Sequence, residues 1–175
     1  MKILLVAINA KFIHSNLAVH TLCSYAGKNV YREDLEMEIA EYTINQQKDD
    51  ILRDIYERSA DMVCFSCYIW NLTYIESLVH ELAKVCPKAL VWLGGSEVSY
   101  AAEEVLLRLP EVKGVMRGEG ERTFAQLCEG SPLDKICGIT FRKEDGTICE
   151  NAWQEPMNLD EVPFIYQDMQ EFEHK

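Results

Sequence analysis

The sequence predicts an α/β fold: a doubly wound sheet of five parallel strands, followed by a β-hairpin and an extended connector. The main observation is that short apolar runs alternate five times with segments whose apolar residues recur at helical spacing. Strands that are apolar along their whole length are typical of parallel sheets covered by helices on both faces. After residue 130 this alternation stops, and two short strands flank Asp145-Gly146, a hairpin turn signal.

The elements follow one another as strand and helix pairs. The helix at 15–28 has Ser15 or Asn16 as its N-cap and Gly27 as its expected stop, and Pro87 ends the third helix. The second strand alternates polar and apolar residues, which indicates an edge strand. The predicted strands are 2–8, 36–44, 61–69, 89–93 and 112–116, and the predicted helices are 15–28, 49–60, 71–87, 101–110 and 121–130. Right-handed crossovers favour a flavodoxin-like strand order, 2-1-3-4-5.

Composition limits the classes of function. A chain of 175 residues with a net charge of −12 lacks the basic surface that nucleic-acid binding needs. No apolar run reaches the ~20 residues of a membrane span, and the first residues are those of a strand, not of a signal peptide. Seven cysteines scattered through apolar segments predict reduced thiols and a cytoplasmic location.

Four distinctive loops follow the carboxyl ends of the predicted strands. They read NAKFIHSN (9–16), SCYIWN (66–71), GGSEVSY (94–100) and RGEGERTF (117–124). In an open doubly wound sheet the ligand crevice lies at this edge, at the point where the strand order reverses. The sequence therefore predicts a ligand site formed by these loops.

The common phosphate-binding signatures are absent from that edge. The loop after the first strand has no glycine, whereas a dinucleotide site needs G-x-G-x-x-G there. In RGEGERTF, Thr123 stands at the third glycine position. Glu119 and Glu121 would repel a diphosphate, and capping the helix dipole accounts for them.

Two of the loops together resemble those of a known family. Ser66-Cys67-Tyr68 and Gly94-Gly95 resemble the S-x-L and G-G elements of cobalamin-binding domains. GGSEVSY followed by RGEGERTF resembles the domain that precedes the catalytic barrel in cobalamin-dependent radical S-adenosylmethionine enzymes, the group that includes magnesium-protoporphyrin IX monomethyl ester oxidative cyclases. The resemblance covers residues 1–130. The residue pattern predicts a hairpin appendage at 131–155, and the resemblance implies that the connector at 156–175 leads to a barrel absent from this chain.

The resemblance implies cobalamin as the cofactor. Its nucleotide tail would lie between sheet and helices, against bare backbone at the glycine pair, with Ser66 bonded to the base of the tail and Ser96 or Ser99 to its ribose or phosphate. The alternative interpretation of the glycine pair is a tight strand-to-helix turn with no role in binding. The residues that the resemblance places at the cofactor are Asn9, Lys11, Phe12, Ser66, Tyr68, Gly94, Gly95, Ser96, Glu97, Gly118 and Gly120.

Several of these residues have a second interpretation. Tyr68 and Trp70 would stack on the corrin or an adjacent domain, or simply pack in the core, and Lys11 and Phe12 would contact the corrin or be plain exposed residues. Cys64 and Cys67 lie three apart in a predicted strand, on opposite faces, which predicts core cysteines and not a metal pair.

The chain departs from the carriers used in methyl transfer and mutases. Those carriers have D-x-H-x-x-G after the first strand, and the loop here has Phe12 two residues before His14, where the aspartate would stand. As the only histidine of this loop, His14 is the one candidate for a cobalt ligand. Because no aspartate precedes it to fix the ring, we expect cobalt to have no histidine ligand from the protein.

The C-x-x-x-C-x-x-C cluster motif is absent from the 175 residues. S-adenosylmethionine, a [4Fe-4S] cluster and the chemistry itself are therefore expected only in a downstream domain, and no catalytic residue is predicted here. The alternative is a docking module that keeps the fold but binds no cofactor.

Overall fold

The computed structural model describes residues 1–13 and 15–165, so His14 and residues 166–175 lie outside the described part. A single sheet contains seven strands in the order β2-β1-β3-β4-β5-β6-β7. The strands are β1 (Lys2–Asn9), β2 (Glu36–Thr43), β3 (Met62–Ser66), β4 (Leu90–Gly94), β5 (Val112–Met116), β6 (Ile139–Arg142) and β7 (Ile148–Glu150). The helices are α1 (Leu17–Asn29), α2 (Lys48–Arg58), α3 (Leu72–Val85), α4 (Ser96–Ser99), α5 (Ala102–Arg108) and α6 (Glu121–Glu129).

The α/β fold, the order of the first five strands and their parallel pairing are confirmed. The expected number of strands was wrong, because the hairpin does not stand apart from the sheet. Its first strand, β6, pairs antiparallel with β5, and β7 pairs antiparallel with β6. The hairpin thereby supplies hydrogen-bond partners to β5, which would otherwise expose an unpaired edge.

The helices cover both faces of the sheet, and each face has its own apolar core. Face A carries α1 and α6, and its strand residues include Leu5, Cys64 and Trp92. Face B carries α2, α3 and α5, and its strand residues include Val6 and Leu93. The alternation of side chains along each strand produces this division.

Two local features differ from the predictions. Asn16 is the N-cap of α1, since its side chain accepts a hydrogen bond from the Ala18 amide, but the helix continues past Gly27 to Asn29. The side chain of Asn29 bonds the carbonyl of Tyr25 and supports that last turn. The short α4 follows the glycine pair and was not predicted.

The predicted separation of Cys64 and Cys67 is confirmed, because Cys64 packs in the core of face A and Cys67 in that of face B. All seven cysteines are free thiols. Among the described residues, no helix is long and apolar enough to cross a membrane.

Candidate functional site

A row of small residues crosses the centre of face A near the carboxyl edge. Ala7 of β1, Ser66 of β3 and Gly94 of β4 are partners in the parallel register, so they lie side by side. The row below contains Leu5, Cys64 and Trp92, which are larger. The sheet therefore leaves room above these three positions where α1 and α6 cover it.

A cavity of about 280 Å³ occupies that room. This is close to the lower end of the ~300–1,000 Å³ typical of ligand pockets, so it suits part of a large ligand. Its wall is mostly apolar, with Leu5, Val19, Leu22 and Met116 among the lining side chains. An apolar slot between sheet and helices fits a flat organic ring better than it fits a polyphosphate.

The two glycines of the pair have different causes. At Gly95 the backbone φ is +110°, and a Cβ would lie 2.4 Å from the carbonyl oxygen of Cys67. The fold alone thus requires glycine there. At Gly94 a Cβ would lie 3.7 Å from Met116, an ordinary contact, so nothing in the protein excludes a side chain. Of the two glycines, it is therefore Gly94 whose lack of a side chain points to a ligand.

Ser66 stands at the floor of the cavity with one hydrogen-bonding role taken. Its hydroxyl accepts a hydrogen bond of 3.2 Å from the Asn16 side-chain amide, and both residues are buried. A hydroxyl that accepts still has its own hydrogen to donate. Ser66 can thus donate to an acceptor atom of a ligand in the cavity.

Asn71 fixes the chain where it leaves β3. This fully buried side chain donates to the carbonyls of Ile8 and Ser66, and it accepts from the amide of Tyr68. Asn16 was predicted only as an N-cap and Asn71 was given no role, although an asparagine that begins a helix after a buried strand is a recognisable signal.

The two acids of the β5–α6 loop line the cavity, yet both carboxylates accept hydrogen bonds from the protein. The amide of Met157 donates to Glu119 at 2.7 Å, and the hydroxyl of Thr21 donates to Glu121 at 3.2 Å. The predicted role of these acids as helix caps is therefore incomplete, because Glu119 holds a distant segment of the chain.

Seven of the eleven residues predicted at the cofactor line this one cavity: Ser66, Tyr68, Gly94, Gly95, Ser96, Gly118 and Gly120. Four do not. Asn9 is buried and its amide approaches Glu41 at the β2 side, while Lys11, Phe12 and Glu97 are exposed. Whether any of them contacts a ligand outside the cavity stays a prediction.

The hydroxyl of Ser99, a candidate for contact with ribose or phosphate, is hydrogen-bonded within the protein. It donates to the carbonyl of Gly95 at 2.8 Å and accepts from the amide of Gly118 at 3.1 Å. It thereby ties the loop after β4 to the loop after β5. This bridge uses the donor that ribose or phosphate contact would need, so its role is to hold the two glycine loops together.

Large apolar side chains are exposed in the loops that follow β1, β3 and β4 at the carboxyl edge of the sheet. Ile13, Ile69 and Tyr100 are each more than three-quarters exposed, and Phe12 is 74% exposed. Tyr68 and Trp70 stack on each other with their ring centroids 4.5 Å apart, and Trp70 is nearly half exposed. Tyr68 and Trp70 are thus outside the core, and the carboxyl edge presents an apolar rim.

Burial determines the protonation state of the thiols beside the site. Desolvation raises the pKa of Cys64, which lines the cavity, and raises that of Cys67 to about 12. Both thiols are therefore protonated and poor nucleophiles near neutral pH. Within the described residues, no group of three or more His, Cys, Asp or Glu is arranged to hold a metal ion. His14, the candidate cobalt ligand, lies outside the described residues.

The sequence matches the B12 binding domain family over residues 3–128. It is 33% identical over 127 residues, 69% of this chain, to an uncharacterized methyltransferase, PH0819, of Pyrococcus horikoshii. A second relative, the anaerobic magnesium-protoporphyrin IX monomethyl ester cyclase of Synechocystis sp., is 32% identical over 66 residues, which is 35% of this chain and 13% of the cyclase.

The fold matches a solved cobalamin-dependent S-adenosylmethionine radical enzyme, OxsB, with aqua-cobalamin and S-adenosylmethionine bound. The TM-score is 0.78 at 19% identity, over 98% of this chain and 25% of OxsB. The chain spans 27% of the length of the methyltransferase. From the match over residues 3–128, the chain belongs to the B12-binding domain family, and its fold is that of the cobalamin-binding region of radical S-adenosylmethionine enzymes.

Proposed function

We propose that the chain is the cobalamin-binding domain of a radical S-adenosylmethionine enzyme of the methyltransferase or oxidative cyclase type. The nucleotide tail would enter the cavity between face A and helices α1 and α6. The corrin would lie across the carboxyl edge, where the loops expose the apolar rim. The observation that carries this proposal is the cavity lined by Ser66 and Gly94, at the carboxyl edge where family members are expected to bind.

The chemistry of the lining residues fits the tail. Leu5, Val19 and Leu22 offer an apolar wall to the flat base, and Gly94 removes the side chain that would stand over the floor. Ser66 donates its hydroxyl hydrogen to a nitrogen of the base, while Asn16 fixes the oxygen. The carboxylates of Glu119 and Glu121 are engaged by Met157 and Thr21, which reduces their repulsion of a phosphodiester.

Bound cobalamin supplies a cobalt centre able to carry a methyl group or exchange electrons, and we propose that this chain only holds it. The residues described contain no nucleophile at the mouth, since the thiols of Cys64 and Cys67 are buried and protonated. The reaction would take place in a domain outside this chain, against the rim formed by Phe12, Ile69 and Tyr100.

We also propose that cobalt has no histidine ligand from this chain. Among described residues, His20 lies 3.7 Å from Glu41 and His80 bonds Glu111, and neither lines the cavity. The measurement is electron paramagnetic resonance of bound cob(II)alamin, in which a nitrogen ligand splits each cobalt line into three. Unsplit lines are expected, and triplets that disappear in His14→Ala would identify His14 as the ligand.

Gel filtration with hydroxocobalamin tests the binding proposal. We expect the corrin absorbance to elute with the protein, with a spectrum that differs from that of the free compound. Free hydroxocobalamin run alone is the control. Elution of all corrin at the position of the small molecule would instead favour a docking module that keeps the fold without a cofactor.

A polypeptide extended through the downstream domain should bind hydroxocobalamin more tightly than residues 1–175, because a second domain would cover the apolar rim and the corrin. The affinities are compared by titration followed by absorption. Equal affinities would show that the extension contributes nothing to the site.

A further inference from the structure

The strap, defined as residues 151–161, crosses the outer side of the β5–α6 loop. It follows β7 and contains only one short turn of 3₁₀ helix, at Leu159–Glu161. It does not line the cavity. Yet it is well anchored: Met157 is 7% exposed and packs in the core of face A.

Polar and cation–π contacts join the strap to six consecutive residues, 117–122, which comprise the β5–α6 loop and the first two residues of α6. Arg117 donates to the carbonyl of Asn151, and its guanidinium lies 4.5 Å from the ring centroid of Trp153. Glu119 accepts from the amide of Met157 at 2.7 Å, and Arg122 pairs with Glu161 at 2.7 Å. The same segment lines the cavity with Gly118, Glu119, Gly120 and Glu121.

The β5–α6 loop is therefore an element with two sides, the cavity on one and the strap on the other. Glu119 belongs to both sides, because it lines the cavity while its carboxylate holds the Met157 amide. A Cβ on Gly118 would lie 3.6 Å from the Trp153 ring, so the indole packs directly on the loop backbone.

Arg117 makes this arrangement costly to disrupt. Its side chain is 1% exposed, and its charge is compensated by Glu150 and by the carbonyls of Ile139 and Asn151, all within or just after the hairpin. A buried cation that lost these partners would have no water to replace them. The position of the loop that lines the cavity is thus set jointly with that of the strap.

We propose that the strap is part of the ligand-binding unit, with Trp153 as a positioning residue, so that strap docking and cobalamin binding stabilise each other. This inference rests on the proposed function. By linkage, whatever favours the docked strap raises the affinity, and the bound ligand favours the docked strap to the same degree. The strap thereby reports occupancy of the cavity to the chain that follows it.

The first test compares Trp153→Ala with Trp153→Phe, which keeps an aromatic ring on Arg117 and Gly118. Glu155→Gln, an exposed position of the strap, is the matched control. Hydroxocobalamin titration should give a dissociation constant at least about fivefold higher for Trp153→Ala, as typical coupling energies imply, and within about twofold of the parent for the other two. Circular dichroism confirms that each variant is folded.

The second test is amide hydrogen exchange with and without hydroxocobalamin. We expect slower exchange in 151–161 on binding, and, without ligand, faster exchange in 117–122 for Trp153→Ala than for the parent. If the parent binds hydroxocobalamin and Trp153→Ala binds it with the same affinity, the coupling is overturned and the proposed function is left intact. The same holds if the parent binds but protection from exchange is confined to the loops that line the cavity. Absence of binding by the parent overturns both, while unchanged exchange of 117–122 in ligand-free Trp153→Ala independently excludes a mechanical link.

Discussion

The two faces of the sheet are built from the same strands but are packed differently. On face B, Leu78 and Leu82 of α3 are fully buried against Phe65 and Leu93, and the core is continuous to the carboxyl edge. On face A the ring of Trp92 lies against Gly114 within a buried apolar core, and the cavity lies beyond it towards the carboxyl edge. Face B is filled by large apolar side chains, which favours stability, whereas face A has small residues where its cavity opens.

The difference resides in one register row. Ala7, Ser66 and Gly94 share the row on face A, whereas Val6, Phe65 and Leu93, one residue earlier on each strand, point to face B. The small residues of the face A row leave the backbone exposed to a ligand in the cavity, whereas the large residues of the face B row cover it. The predictions below alter one face or the other.

The largest effect should come from the same substitution made on opposite faces. Leu78→Ala creates a void in a closed core and should lower the free energy of unfolding by about 2–5 kcal/mol. Leu22→Ala borders a cavity that already exists and should cost about 1 kcal/mol. Urea denaturation measures both. Equal losses would mean that the two faces are packed alike.

The glycine pair should separate folding from binding. Gly95→Ala places a Cβ against the Cys67 carbonyl at positive φ and should cost about 1–3 kcal/mol of stability. Gly94→Ala should leave the unfolding midpoint nearly unchanged but weaken hydroxocobalamin binding by about 1–3 kcal/mol, because the methyl group overfills the occupied cavity.

Thermal melting and a hydroxocobalamin titration of each variant check this pair. A stable Gly94→Ala variant that binds like the parent would show that the tail does not lie over this position.

Ser66→Ala should have a smaller effect on binding, accompanied by a loss of stability because the buried Asn16 amide loses its acceptor. The variant loses one hydrogen bond to the ligand, worth about 0.5–1.5 kcal/mol, or roughly a two- to tenfold change in dissociation constant. Ser77→Ala, on α3 of face B, is the matched control and should change nothing in the titration. A normal affinity for Ser66→Ala would remove Ser66 from the site.

The sequence predicted the architecture because its signals are local. Apolar runs, helical periodicity and Pro87 determine where strands and helices lie, and the carboxyl edge then follows from parallel topology. The loops at that edge were recognisable before the structure, and seven predicted residues line one cavity.

What the sequence did not predict depends on contacts distant along the chain. The strap is held by residues more than thirty positions earlier, such as Glu119 for Met157, and no local pattern records that pairing. The row of small residues is visible only after three strands are aligned in register. The different constraints on the two glycines are likewise set by distant residues, Met116 beside Gly94 and Cys67 beside Gly95.

The smallest effect concerns the buried thiols, which differ between the faces only in their access to the cavity. Burial raises the pKa of Cys67 and of Cys128 to about 12, so the folded state holds protons that the unfolded chain releases above its pKa of about 8.5. Stability from these thiols is therefore complete below pH about 8.5 and falls as pH rises towards 12, by under about 1 kcal/mol per thiol between pH 8 and 9.

Urea midpoints at the two pH values measure this loss, and Cys67→Ala should lose less than the parent. Iodoacetamide labelling followed by mass mapping gives an independent readout. The partly exposed Cys23, Cys86, Cys137 and Cys149 should react first, and the buried Cys64 and Cys67 should be labelled slowly in the native protein. Because Cys64 lines the cavity, hydroxocobalamin should slow its residual labelling and leave that of Cys67 unchanged. Equal protection of both thiols would mean that the ligand tightens the whole domain and does not fill face A.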